Sequence, residues 1–159
     1  MESADVLVRE IAPRVWAELP DARFVLAGRH PEPAVLALAG DRVDVRGNVD
    51  SVLEVFRNAD VAVFPDRHGL GIRNSVSEAL AAGLPVVATP TAAREQPEHP
   101  LLRIAEEPDA LARLVRQALT TPWGSGADRR SVPGGRTWDV AAGEYLAELQ
   151  RAMDPEPTD

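Results

Sequence analysis

Residues 61–89, VAVFPDRHGLGIRNSVSEALAAGLPVVAT, carry the pattern that decides the fold. Val61 to Pro65 is an uninterrupted apolar run of strand length, as in a strand covered on both faces of a sheet. Asp66 to Asn74 reads as a glycine-containing loop. Ser75 to Ala82 has helical spacing, and Gly83 suits the left-handed position that ends a helix. Pro85 to Thr89 is a second buried strand. Strand, helix, strand is the unit of a parallel sheet, and the loop between Pro65 and Ser75 leaves the C-terminal end of its strand. In open parallel sheets such loops form the ligand crevice.

The composition of that loop indicates what it would hold. Gly69 and Gly71 let the backbone approach a ligand closely. The helix start beyond them offers unpaired N–H groups and the positive end of a dipole, which together attract an anion. Arg67 and Arg73 flank the point and add charge-assisted hydrogen bonds. A phosphorylated small molecule fits this loop, although paired glycines between arginines also occur in ordinary surface loops. Glu78 has two readings. Ser75-Val76-Ser77-Glu78 fits a capping box, with Ser75 as the cap and Glu78 reaching back to its amide. Alternatively, its carboxylate stands near the crevice and accepts hydrogen bonds from two adjacent sugar hydroxyls.

Working outward, the chain keeps alternating short β-branched runs with longer helical patterns, the mark of an α/β layered fold. Asp5 to Leu19 is helical in spacing, with Pro13 predicting a kink or a late start. Strands are expected at Arg23 to Ala27, Arg42 to Gly47 and Leu101 to Ala105. A short helix enters through Pro31 and Pro33, and another is capped by Asp50 or Ser51, burying Val52, Leu53, Val55 and Phe56. Pro108 opens a helix to about Leu119. Pro122 to Gly135 is a connector, Trp138 to Met153 a last amphipathic helix, and Asp154 to Asp159 a flexible tail.

Composition narrows the function classes. The 159 residues suit one domain, here residues 1–153 plus the tail. With 17 basic residues, all arginine, against 25 acidic, the net charge is −8, which argues against a nucleic-acid partner. No run approaches the roughly 18 apolar residues of a membrane span, and the acidic Met1 to Asp5 lacks the layout of a secretion signal. A cytoplasmic protein with at most peripheral membrane contact is expected. Zero cysteines remove thiolate chemistry, and three scattered histidines argue against a metal centre. His68 reads as an exposed loop residue. Glu95 and His99 face the crevice if the sheet is parallel. Trp16, Trp123 and Trp138 read as packing residues.

At the loop the sequence resembles the C-terminal, donor-binding half of a family-4 (retaining, GT-B fold) glycosyltransferase. Residues 19–28 (LPDARFVLAG), 45–65 (VRGNVDSVLEVFRNADVAVFP), 69–89 and 107–119 (EPDALARLVRQAL) follow that half-domain in order and spacing. Trp138 matches a tryptophan near the last helix, so the resemblance spans about Asp5 to Leu149. The branch it resembles most carries a glycine-x-glycine-x-arginine-asparagine-lysine loop and belongs to bacterial cell-surface polysaccharide enzymes. The resemblance implies a Rossmann-like three-layer parallel sheet with helices on both faces. It implies that Gly69, Gly71, Arg73 and Asn74 line the diphosphate and sugar of a nucleotide-sugar (a UDP-, GDP- or ADP-sugar), with no metal, while Glu78 holds the ribose. Two departures stand inside the motif. Leu70 replaces the first glutamate of the family's pair, and Ser75 replaces a phosphate-binding lysine.

The resemblance also implies a central strand, an arginine-lysine loop and an acceptor-binding domain ahead of the first helix, with no counterpart here. That strand would lie between Arg23–Ala27 and Val61–Pro65. Buried backbone groups left without partners cost about 1–3 kcal/mol each, so the two edges are expected to close on each other or on a partner strand. Three functional readings follow. One is a glycosyltransferase represented by its donor-binding half, with weak nucleotide binding and no independent transfer. Another is a non-catalytic nucleotide-binding or interaction module that pairs with a separate N-terminal half. The last is an inactive remnant.

Overall fold

The computed structural model describes residues 2–69, 74–94, 96–121 and 123. The expected helix at 138–153 and the tail lie outside them. The first helix begins earlier than its spacing predicts, as α1 (Glu2–Asp5), widens into a π-helical stretch (Val6–Ile11) and continues as α2 (Ala12–Trp16). Pro13 neither breaks it nor delays its start. Proline removes one backbone donor, and the wide turn accommodates this: the Ala12 N–H bonds Leu7 O, five residues back. Ile11, Ala12 and Val15 are fully buried along this helix.

Five strands follow where the β-branched runs place them. They are β1 (Phe24–Gly28), β2 (Val43–Gly47), β3 (Ala62–Phe64), β4 (Val86–Ala88) and β5 (Leu102–Ile104). Between them lie α3 (Pro33–Leu36), α4 (Val52–Arg57) and α5 (Asn74–Ala81), with α6 (Pro108–Thr120) after β5. Every pairing between these strands is parallel. β1 runs beside β2 in the register Phe24↔Val43 to Gly28↔Gly47, and β4 is central to β3-β4-β5, with Val86 level with Ala62 and Leu102. α5 and α6 both pack on β4, whose three residues have no exposed surface, so both faces of that strand are covered. Pro108 stands at the start of α6, which buries Leu111, Ala112, Val115 and Ala118. α5 ends as Gly83 predicts. Its φ is 76°, its N–H bonds Leu80 O at 2.9 Å and the Leu84 N–H bonds Ala79 O at 3.0 Å, a left-handed cap with two reciprocal bonds.

Closure of the two edges on each other, one of the two expected outcomes, does not occur. The parallel sheet is in two pieces, β1-β2 and β3-β4-β5, and among the described residues β1 and β3 do not pair. The physical reason lies in which edge is wet. In the β1-β2 ladder Phe24 and Gly28 bond toward β2, so the alternation of a strand turns Val25 and Ala27 outward. Both are exposed, Val25 by 40%. The residues along that edge are not buried, so the penalty reckoned for buried groups is not incurred in full. A single apolar cluster joins the two pieces instead, running from the N-terminal helix through Phe24, Val43 and Ala62 to β4 and α6.

A second correction concerns α4. Ser51 is its N-cap residue but makes no side-chain cap bond, and the six-residue helix buries none of its side chains, leaving Val52 and Leu53 about 40% exposed. A helix of under two turns offers little apolar stripe, so the expected burial is not achieved for Val52 and Leu53, while Val55 is half-buried and Phe56 packs half-buried against the core.

Candidate functional site

The C-terminal ends of β3 and β4 meet at one rim. Pro65 and Asp66 leave β3 there, and Thr89 leaves β4; all three are buried. Burying a carboxylate is costly unless it is hydrogen-bonded, and Asp66 is 3% exposed. Its Oδ1 accepts the Ser3 hydroxyl from the first turn of the N-terminal helix. Its carbonyl accepts the Thr89 hydroxyl at 2.6 Å, and the Thr89 oxygen in turn accepts the Ala92 N–H at 3.2 Å. Sequence reasoning passed over Ser3, Asp66 and Thr89. The available signal was a charged residue directly abutting a buried apolar strand.

Of the residues expected to bind a ligand, the structure brings Arg67, Gly69, Asn74, Ser75 and Glu78 to this rim or to the helix beside it. Gly71 and Arg73 lie outside the described residues. Gly69 has φ 150° and a Cβ there would touch nothing within 4 Å, so the backbone is open to an approaching group. Arg67 points elsewhere: its Nη2 donates to Glu10 Oε2 at 2.7 Å, and His68 Nδ1 stands 3.1 Å from the Glu2 carboxylate. Carboxylates on the N-terminal helix thus engage both Arg67 and His68.

Asn74 and Ser75 are both helical in α5, so Ser75 is not a cap residue and the capping box anchored on it is not formed. Glu78 is exposed and its carboxylate bonds none of the described residues. It is available to a pair of hydroxyls.

The other rim, at the ends of β1 and β2, is closed tightly. His30 and Asn48 adopt positive φ (49° and 54°), unusual for non-glycine residues. The His30 N–H donates to Asn48 Oδ1 at 3.1 Å and the Asn48 N–H to Gly28 O at 2.9 Å. A side chain at Gly47 would run into Pro31 Cγ at 2.9 Å.

His99 is not part of the crevice. It precedes Leu102, which is level with the start of β4, so it sits at the opposite end of the strands. Its Nδ1 accepts the Leu101 N–H at 3.1 Å, and burial lowers its pKa from the ordinary histidine value. Glu95 lies outside the described residues. Trp16 and Trp123 are packing residues, as their spacing suggests. Trp16 meets Phe24 edge-on at 5.6 Å, and Arg103 covers the Trp123 ring at 5.0 Å. Two open hollows lie away from the rim. One, of about 430 Å³, is lined by Asp60, Pro85 and Thr121 at the N-terminal ends of the strands, and the other, of about 630 Å³, runs beside His99 and β5. Among the described residues no group of three acidic or histidine side chains is arranged to hold a metal, and no helix is long and apolar enough to cross a membrane.

A family model described as glycosyl transferases group 1 matches residues 1–121, and so takes in the crevice and every described strand. The chain belongs to the group 1 glycosyl transferases. Among solved structures, this group 1 chain is similar to AviGT4, a glycosyltransferase involved in avilamycin A biosynthesis. The TM-score is 0.57 at 22% identity, over 91% of this chain and 48% of that one. The likeness supports the Rossmann-like α/β fold of a GT-B half, and the chain spans about half the length of the structure it matches. No curated protein matches it in sequence.

Proposed function

We propose that this chain is the nucleotide-sugar-binding half of a family-4, retaining glycosyltransferase, with the donor seated on the rim where β3 and β4 end. The observation that carries the reading is the pairing of an open backbone at Gly69 with an unengaged carboxylate, Glu78, on the helix that follows. Gly69, Gly71, Arg73, Asn74 and Ser75 take the diphosphate and sugar, and Glu78 takes the ribose diol through its two oxygens. Arg67 joins the phosphate when it releases Glu10. The glycosyl group passes from a UDP-, GDP- or ADP-sugar to an acceptor held by a separate acceptor-binding domain, without a metal. The setting is polysaccharide biosynthesis in a bacterial cytoplasm, with the domain comprising residues 1–153.

Calorimetric titration with UDP, GDP and ADP tests the donor site. One of the three is expected to bind, and Glu78→Ala to weaken it about ten-fold, the worth of one hydrogen bond to a charged group. Equal affinity in the variant, or no binding of any of the three, refutes the proposal. A second reading, a non-catalytic module that pairs with a separate N-terminal half, is favoured by the absence of pairing between β1 and β3 among the described residues. Its test is co-purification with an acceptor-domain protein.

A further inference from the structure

We infer that Asp66 is a positioning residue for the crevice: through Ser3 it locks the loop leaving β3 to the first turn of the N-terminal helix, presenting Gly69 at a fixed height to the donor. This rests on the donor-site reading above. Three consecutive loop residues face that helix. Asp66 and His68 reach Ser3 and Glu2 near the start of the helix, and Arg67 reaches Glu10 further along it. Arg67–Glu10 and His68–Glu2 are solvent-exposed and such pairs hold weakly. Asp66 is itself buried and Ser3 half-buried, so theirs is the most shielded of the three ties and governs the loop's position. It is also gripped from behind, since Thr89 holds the Asp66 carbonyl and the Thr91 hydroxyl donates to Arg67 O at 3.4 Å. An ionised carboxylate is an acceptor only, which matches a serine hydroxyl approaching from a helix start. The negative charge is placed where a helix dipole favours it. Gly69 is three residues further on, so whatever fixes Asp66 fixes the open backbone.

The experiment compares Ser3→Ala, Asp66→Asn, Asp66→Ala and the Ser3→Ala/Asp66→Ala pair in the full chain. Amide hydrogen exchange over residues 66–69 reads the lock without any ligand, and calorimetry with UDP, GDP and ADP reads its consequence. Ser3→Ala and Asp66→Ala are expected to speed exchange at 66–69 at least ten-fold while residues 86–88 stay unchanged. Asp66→Asn, which keeps the acceptor oxygen, should retain most of the protection. The double variant should be no worse than the worse single. The nucleotide bound by the unaltered chain should lose about ten-fold in affinity in both alanine variants and recover in Asp66→Asn. Unchanged exchange at 66–69, or an equal rise at 86–88, overturns the lock. Faster exchange with unaltered nucleotide affinity overturns the positioning role. An unaltered chain that binds none of the three nucleotides overturns the donor-site reading, and the positioning role with it, whatever the exchange shows.

Discussion

Replacing Phe24 with alanine should release the β1-β2 half of the sheet while the β3-β4-β5 half stays folded. Phe24 is 8% exposed and is the buried residue of β1. Burying such a ring is worth about 1.5–3 kcal/mol, and its edge-on contact with Trp16 at 5.6 Å and 85° adds about 0.5–1.5 kcal/mol. With the cavity left behind, the loss reaches about 3–5 kcal/mol. Trp16 is itself fixed, because its indole N–H donates to Ala22 O at 2.9 Å and the Arg42 guanidinium lies 4.0 Å over its ring. The neighbours therefore close the gap only in part. No ladder of hydrogen bonds carries β1 along with β3, so the loss falls on one half, as a local opening. Hydrogen exchange coupled to mass spectrometry reads this directly. At ten-fold per 1.4 kcal/mol, residues 24–28 and 43–47 should exchange about a hundred-fold faster or more, with residues 86–88 and 111–118 little changed. Equal acceleration in both halves, or less than three-fold anywhere, would refute the argument that the two sheets are energetically separate.

Glu10→Gln should free Arg67 and tighten nucleotide binding by about two- to five-fold in calorimetry. Stability should change by less than about 1 kcal/mol, since the lost pair is exposed. Gly83→Ala should cost about 1–2 kcal/mol in a denaturant titration, because its φ of 76° is left-handed and the cap depends on it. His99 should make the fold acid-sensitive. Its folded pKa lies below the unfolded value of about 6.5, so its contribution is fully present above that value and is lost as pH falls through the folded one. Protonation also removes the acceptor for the Leu101 N–H. Denaturation midpoints at pH 7.5 and 5 should diverge more in the unaltered chain than in His99→Gln.

Much of this molecule was legible because backbone chemistry announces itself locally. Val61 to Thr89 gave β3, α5, the Gly83 cap and β4, since apolar runs, helical spacing and a left-handed glycine each act within a few residues. What escaped depended on distant partners. Nothing around Arg67 signals that Glu10, far back in the chain, captures it. The buried role of Asp66 needed Ser3 and Thr89, which only the fold assembles. Glu78 had two local readings, and the helical place of Ser75 in α5 removes the capping-box one. The open seam between β1 and β3 was not foreseen because the backbone groups of both edges were expected to be buried. Solvation of that edge follows from the three-dimensional arrangement of the layers.

The wide turn at Val6–Ile11 has a consequence for how the N-terminal helix tolerates change. An ordinary helix advances about 100° per residue, whereas the stretch ending at Ala12 spends one residue more than that winding needs. Deleting a single residue there would restore regular winding. Because the wide turn already absorbs that residue, residues 2–5 would keep their angular place, with Ser3 still toward Asp66 and Glu2 toward His68 while Ile11 and Val15 stayed in the core. The spare residue is thus one the helix can lose without changing the phase between the end that faces the crevice and the end that anchors it.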